Sequence, residues 1–221
     1  MKRLALLASV TALAALAQLP RETPSGMIFS DGATVTRSPR TAVAARPGEL
    51  LLAGDRIKAG ADGVSLLSCP ERKIVKLAPN AEAVVTRRGF DTTPANLSTE
   101  RLVAGCFLPP VKRAPVAGPL HLGATTMRGD TPQTPEGSLQ TRIDALPESV
   151  RESLVIGLKS IQGGDAIAWV SRGALLEQAG LLSDASGNYQ RALAQLPTAF
   201  WLQTKLVELA EAREKHAAIG K

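Results

Sequence analysis

The residues of this chain that could do chemistry are two cysteines, two histidines and a scattered set of carboxylates. Cys69 and Cys106 could act as thiolates, on a metal or an electrophile, or as a pair in a disulfide. No His stands beside either cysteine, and two thiols alone do not make a zinc set, so no metal ligand is assigned. His121 falls in a Pro-rich stretch and His216 near the C-terminus. Neither is close in sequence to a Ser or Cys in a nucleophile motif, and no G-x-S-x-G or H-E-x-x-H pattern occurs. Paired Asp and Glu could hydrolyse a glycan, but carboxylates are common on any surface and these have no distinguishing pattern. The sequence therefore offers no catalytic, cofactor-binding or metal-binding residue, and the expected role is non-enzymatic.

Where the cysteines reside decides their chemistry. Lys2 and Arg3 precede the uncharged run Leu4 to Leu16, at whose end Ala15 and Ala17 stand in an A-x-A arrangement, and Pro20 follows. This pattern reads as a signal peptide over residues 1–17. The alternative is a membrane anchor, but the run is shorter than the roughly 20 apolar residues that cross hydrocarbon. Export implies a periplasmic or secreted protein, with no stable membrane span after cleavage. In that setting Cys69 and Cys106 are expected to form a disulfide, the alternative being two buried free thiols.

The net charge is +6, of which the leader carries two charges, and the pI is near 9.7. The basic residues are scattered, with short clusters only at Arg87–Arg88 and Lys112–Arg113, and aromatics are too few for a base-stacking platform. Nucleic acid is thus not an expected partner. A weak attraction to anionic envelope polymers fits an exported chain better, and a solvated basic surface needs no ligand at all.

The chain after the leader has room for two small domains, each with its own core. Up to about Phe107 it is rich in Val, Leu, Thr and Gly. Short apolar runs lie at Ala33 to Arg37, Glu49 to Leu52, Val64 to Ser68, Lys73 to Leu77 and Ala81 to Thr86. Between them stand Gly54–Asp55, Gly60, Asp62–Gly63 and Pro79–Asn80, each suited to a turn. No helical pattern separates the runs, which argues an all-β sandwich or roll over 26–107. From Leu108 to Gln140 six prolines sit among Gly and Thr, as in a linker, with one strand expected around His121 to Met127; the linker is bounded at 108–142.

Gly54, Asp55, Arg56, Ile57, Gly60, Asp62, Gly63, Val64, Leu66, Val75, Leu77, Pro79, Asn80 and Val84 resemble the FecR-like periplasmic domain, over about residues 28–88. The resemblance implies a β-rich envelope domain, best known from iron-uptake signalling, in which a membrane-anchored protein relays a receptor signal to a sigma factor. The chain departs from that arrangement. On this reading the cytoplasmic N-terminal domain and the membrane span of that arrangement are expected to be missing, and Cys69–Pro70–Glu71–Arg72–Lys73 stands where many relatives have an Asp-Gly turn, predicting a longer turn here.

After Ile143 the composition turns to Ala, Leu, Glu and Gln at helical spacing. Helices are expected over Val150 to Ile161, with Val150, Leu154, Leu158 and Ile161 on one face, and over Asp165 to Gly180, Ser183 to Leu196 and Thr198 to Ala218. Trp169, Gly173, Leu176, Ala185, Tyr189, Ala192 and Pro197 are similar in register to one tetratricopeptide repeat, over about 166–199. That resemblance implies that Gly173 and the two alanines let the second helix approach and that Tyr189 packs between the helices. A plain bundle with the same residues as core is the alternative. On the repeat reading, Ser171, Arg172 and Gln178 are the candidate partner-binding residues.

The expectation is an α+β chain: a FecR-like β sandwich or roll, a Pro-rich linker, and a small tetratricopeptide-like helical domain over 143–218. Its function is expected to be binding or scaffolding in the cell envelope, with an envelope protein, peptidoglycan or another polysaccharide as partner. A FecR-like sensing component without its cytoplasmic relay is the alternative, and a glycan hydrolase a third.

Overall fold

Four short segments each place two aliphatic residues side by side: Met27–Ile28, Leu50–Leu51, Leu66–Leu67 and Ile74–Val75. Successive side chains of a strand point to opposite faces, so each doublet demands cover on both sides of its sheet. The computed structural model, which describes residues 21–37, 41–112 and 137–219, meets that demand.

The twelve strands of the described residues are β1 (Arg21–Glu22), β2 (Gly26–Ile28), β3 (Ala33–Arg37), β4 (Thr41–Ala44), β5 (Leu50–Leu51), β6 (Arg56–Ala59), β7 (Val64–Ser68), β8 (Lys73–Leu77), β9 (Glu82–Thr86), β10 (Gly89–Asp91), β11 (Leu97–Leu102) and β12 (Val111–Lys112). Five of them coincide with the apolar runs. Two five-stranded antiparallel sheets result, ordered β10-β9-β6-β3-β4 and β11-β8-β7-β2-β5, and a separate pair joins β1 to β12. Ile28, Leu51, Leu66 and Val75 of the second sheet pack with Val35, Ile57, Ala83 and Val85 of the first. The other member of each doublet, Met27, Leu50, Leu67 and Ile74, packs into a core shared with the helices. The second sheet is therefore the middle layer of a β/β/α stack.

The Gly54–Asp55 turn is fixed from within. Asp55 is fully buried; its Oδ2 accepts from the Leu52 N–H at 2.9 Å and lies 3.5 Å from Arg37 Nε. Arg37 also pairs with Glu49 at 2.7 Å and donates to the Leu50 carbonyl. Gly54, at φ 93°, takes a conformation that side chains resist. The turn between β7 and β8 runs over four residues, 69–72, between the paired Ser68 and Lys73.

The helices are α1 (Leu139–Asp144), α2 (Glu148–Ser160), α3 (Ala166–Gln178), α4 (Leu182–Gln195) and α5 (Phe200–Ile219). Asp165 caps α3 by accepting from the Ala168 N–H at 2.9 Å. On α2, Leu154 and Ile161 at its end are buried, whereas Val150 is 38 % exposed. Between α3 and α4, Tyr189 is fully buried, as are Ala185 and Ala192, and a Cβ on Gly173 would lie 2.6 Å from the Tyr189 ring. The absent side chain sets the helix separation. Arg142 of α1 donates to both oxygens of Asp184 on α4, through Nε at 3.0 Å and Nη2 at 2.5 Å.

The helices join the β layers through α3 and the start of α5. Trp201 Nε1 donates to the Gly48 carbonyl at 2.6 Å, Thr198 donates to the Pro47 carbonyl at 2.9 Å, and the Arg46 guanidinium lies 5.1 Å from the Phe200 ring centre. A Cβ on Gly48 would meet Ala199 Cβ at 2.6 Å, and its φ of 85° independently favours glycine. These contacts correct the expectation of two domains with separate cores. The linker boundaries also shift: Leu108 is buried, β12 pairs with β1, and α1 begins inside the segment read as linker. The leader and the strand expected at His121 to Met127 lie outside the described residues.

Candidate functional site

Cys69 opens the turn after β7, and Cys106 lies on the segment leading away from β11. The two form a disulfide with Cα atoms 5.2 Å apart, within the span a bridge requires. It ties this outgoing segment to the middle sheet. One residue further on, the Phe107 N–H donates to Ser171 Oγ on α3 at 3.0 Å, so sheet, crossing segment and helix meet within a few residues.

Beside this junction lies a half-open cleft of about 850 Å³, lined by Glu22, Ser25, Cys69, Arg87, Phe107 and Gln178 among others. Its size falls in the range of about 300–1,000 Å³ common for ligand sites. The disulfide and Phe107 give it an apolar wall, and Arg87, Gln178 and Glu22 give it polar groups of different kinds. Arg87 and Arg88 form the two-residue connection between β9 and β10, where Thr86 pairs with Gly89. Both are exposed, and Arg87 reaches the cleft because this hairpin stands next to it. Such a cleft can hold a chain or small molecule by hydrogen bonds and one guanidinium contact. Among the described residues no three His, Cys, Asp or Glu side chains are grouped to hold a metal ion.

The three residues expected to contact a partner do not converge. Gln178 is exposed and lines the cleft. Ser171 is fully buried and engaged with Phe107, which corrects its assignment: it fastens α3 to the segment that leaves β11 and presents nothing to a partner. Arg172 lies elsewhere, with its guanidinium 4.8 Å from the Trp169 ring centre and its Nη2 donating to the Gly163 carbonyl at 2.8 Å. Trp169 is half-buried and has a second guanidinium, that of Arg191, at 4.6 Å. Sequence reasoning registered Arg87 only as part of a basic pair and passed over Arg191, because neither one's position is encoded by neighbouring residues.

Inside the helical layer Tyr189 donates to Glu177 at 2.9 Å, and Lys205, 3 % exposed, reaches Glu177 and Glu208 at 3.2 Å each. Burial, followed by the charge and hydrogen bond of Glu177, pushes the Tyr189 phenol far above its usual range. This network holds the α3, α4 and α5 helices together and does not open on the cleft lining. No protein-family model, curated protein or solved structure matches the chain.

Proposed function

We propose that this is an exported, non-enzymatic binding protein of the cell envelope, which takes a segment of an envelope protein or polymer into the cleft beside the disulfide. The observation that carries the reading is the cleft itself, lined by Arg87 and Gln178 and braced by a covalent link between its β and crossing segments. The disulfide fits an oxidising compartment, and no described helix is long and apolar enough to cross a membrane. The buried Asp55 turn supports a FecR-like β part, and the Gly173–Tyr189 contact supports a tetratricopeptide-like hairpin.

The test is capture from envelope extract and from purified wall material by the immobilised protein, beside an R87A/Q178A double variant. The reading expects a partner retained intact by the parent protein and lost by the variant. Release of sugars or peptides from the retained material would instead establish an enzyme, and equal retention by both proteins would move the site away from the cleft.

A further inference from the structure

Outside the cleft, Trp169, Arg172 and Arg191 form a cluster on the α3–α4 hairpin. Two guanidinium carbons lie over one indole, at 4.8 and 4.6 Å from its centre. Arg191 is exposed and, among the described residues, has no hydrogen-bond or ion-pair acceptor. Neither arginine has a carboxylate three or four residues away on its own helix, the spacing at which helical ion pairs form. The adjoining Asp165 is already paired with Arg101 at 2.9 Å. The positive charge at this aromatic is therefore uncompensated by the helices that carry it.

The surroundings narrow the ligand. Gln195, one turn beyond Arg191 on α4, is exposed and reaches across to the Gly164 carbonyl at 3.0 Å, in the loop that passes Trp169. Planar guanidinium and amide groups around an indole suit hydroxyls and carboxylates borne on a ring. An extended acidic peptide would gain by pairing with a sheet edge, but the adjacent edge strand β11 carries a register shift between Thr99 and Arg101, which blunts such pairing.

We propose that Trp169, Arg172 and Arg191 form a second binding site, for a carboxylate-bearing glycan. The guanidinium of Arg191 takes the carboxylate, Arg172 helps to hold it, and the indole edge and the Gln195 amide meet the sugar. The site is separate from the cleft and stands whether or not the cleft binds a partner.

Calorimetric titration of the full chain tests it, with trigalacturonate, maltotriose, triglutamate and inorganic phosphate as probes. Trigalacturonate should bind, and maltotriose, triglutamate and phosphate should bind at least about tenfold more weakly. R191A, a change on the surface, and R172A should each weaken trigalacturonate binding about tenfold or more, since charge-assisted bonds of this kind are strong. R191K should fail to restore it if both nitrogens of the fork are used, and R87A should leave it unchanged. No binding of trigalacturonate, equal binding of triglutamate or phosphate, or full binding by R191A would overturn the proposal. Loss of binding in R87A would place the sugar in the cleft and overturn the second site while sparing the first.

Discussion

An added methyl group at Gly173 should be harmful although it favours the helix. Ala gains about 1 kcal/mol of helix propensity over Gly. Here its Cβ would sit 2.6 Å from a tyrosine ring that is fully buried and tied through its hydroxyl to Glu177, and overpacking of this kind costs about 1–3 kcal/mol. G173A should therefore lower the denaturant midpoint; an unchanged or raised midpoint would mean that the ring yields freely. S171A removes the acceptor of the Phe107 N–H and should cost about 1–3 kcal/mol, with no direct effect on a partner, since Ser171 is inaccessible. Tyr189 is the chain's single tyrosine, so its ionisation can be followed by absorbance without interference. Its phenol is raised in the folded state, so the stability it contributes is fully present below pH 10, the unfolded value, and declines as pH rises above that. Tyrosinate should form only as the circular dichroism of the fold is lost. Reversible titration near pH 10 with the fold intact would contradict the buried Tyr189–Glu177 pair.

At the scale of elements, the disulfide acts on the segment that carries the chain out of the β layers. Its ends are separated by 37 residues, and closing a loop of that length in the unfolded chain contributes about 4 kcal/mol in the loop-entropy picture. A C69A/C106A variant should lose about that much, measured by denaturant unfolding, and a loss below about 1 kcal/mol would show the segment to be held by its other contacts. Much of the element pattern was legible. Turn residues between aliphatic runs marked five strands, and Asp165 marked the start of α3. The short strands β2, β4, β6 and β10 were missed because three or four residues hold too little periodicity, and β11 because Ser98, Thr99, Glu100 and Arg101 are exposed. Of the residues expected to meet a partner, Gln178 is exposed and lines the cleft, whereas Ser171 was misread: α3 is covered there by the crossing segment that carries Phe107, and a helix sequence alone does not say what covers a small polar residue.

For the whole molecule, the four aliphatic doublets were the signal for a middle sheet, and they stand in the sequence as plainly as the turns. Reading each half as a domain with its own core missed it, because one member of each doublet is satisfied within the β layers and the other only by helices that come after the prolines. Met27, Leu50, Leu67 and Ile74 would be laid bare if the helices left, at about 1.5–3 kcal/mol for each fully exposed side chain. That sum is comparable with the stability of an entire domain, so the helical layer and the β layers are expected to unfold together. The decisive measurement is denaturant unfolding followed simultaneously by tryptophan fluorescence and far-ultraviolet circular dichroism. Trp169 and Trp201 are the chain's two tryptophans and both lie in the helical layer, whereas dichroism senses both layers. A β/β/α stack with a shared middle sheet predicts coincident transitions that shift together when the disulfide is reduced. Two separated transitions, with only the dichroism signal moving on reduction, would contradict the shared core and restore two independent domains.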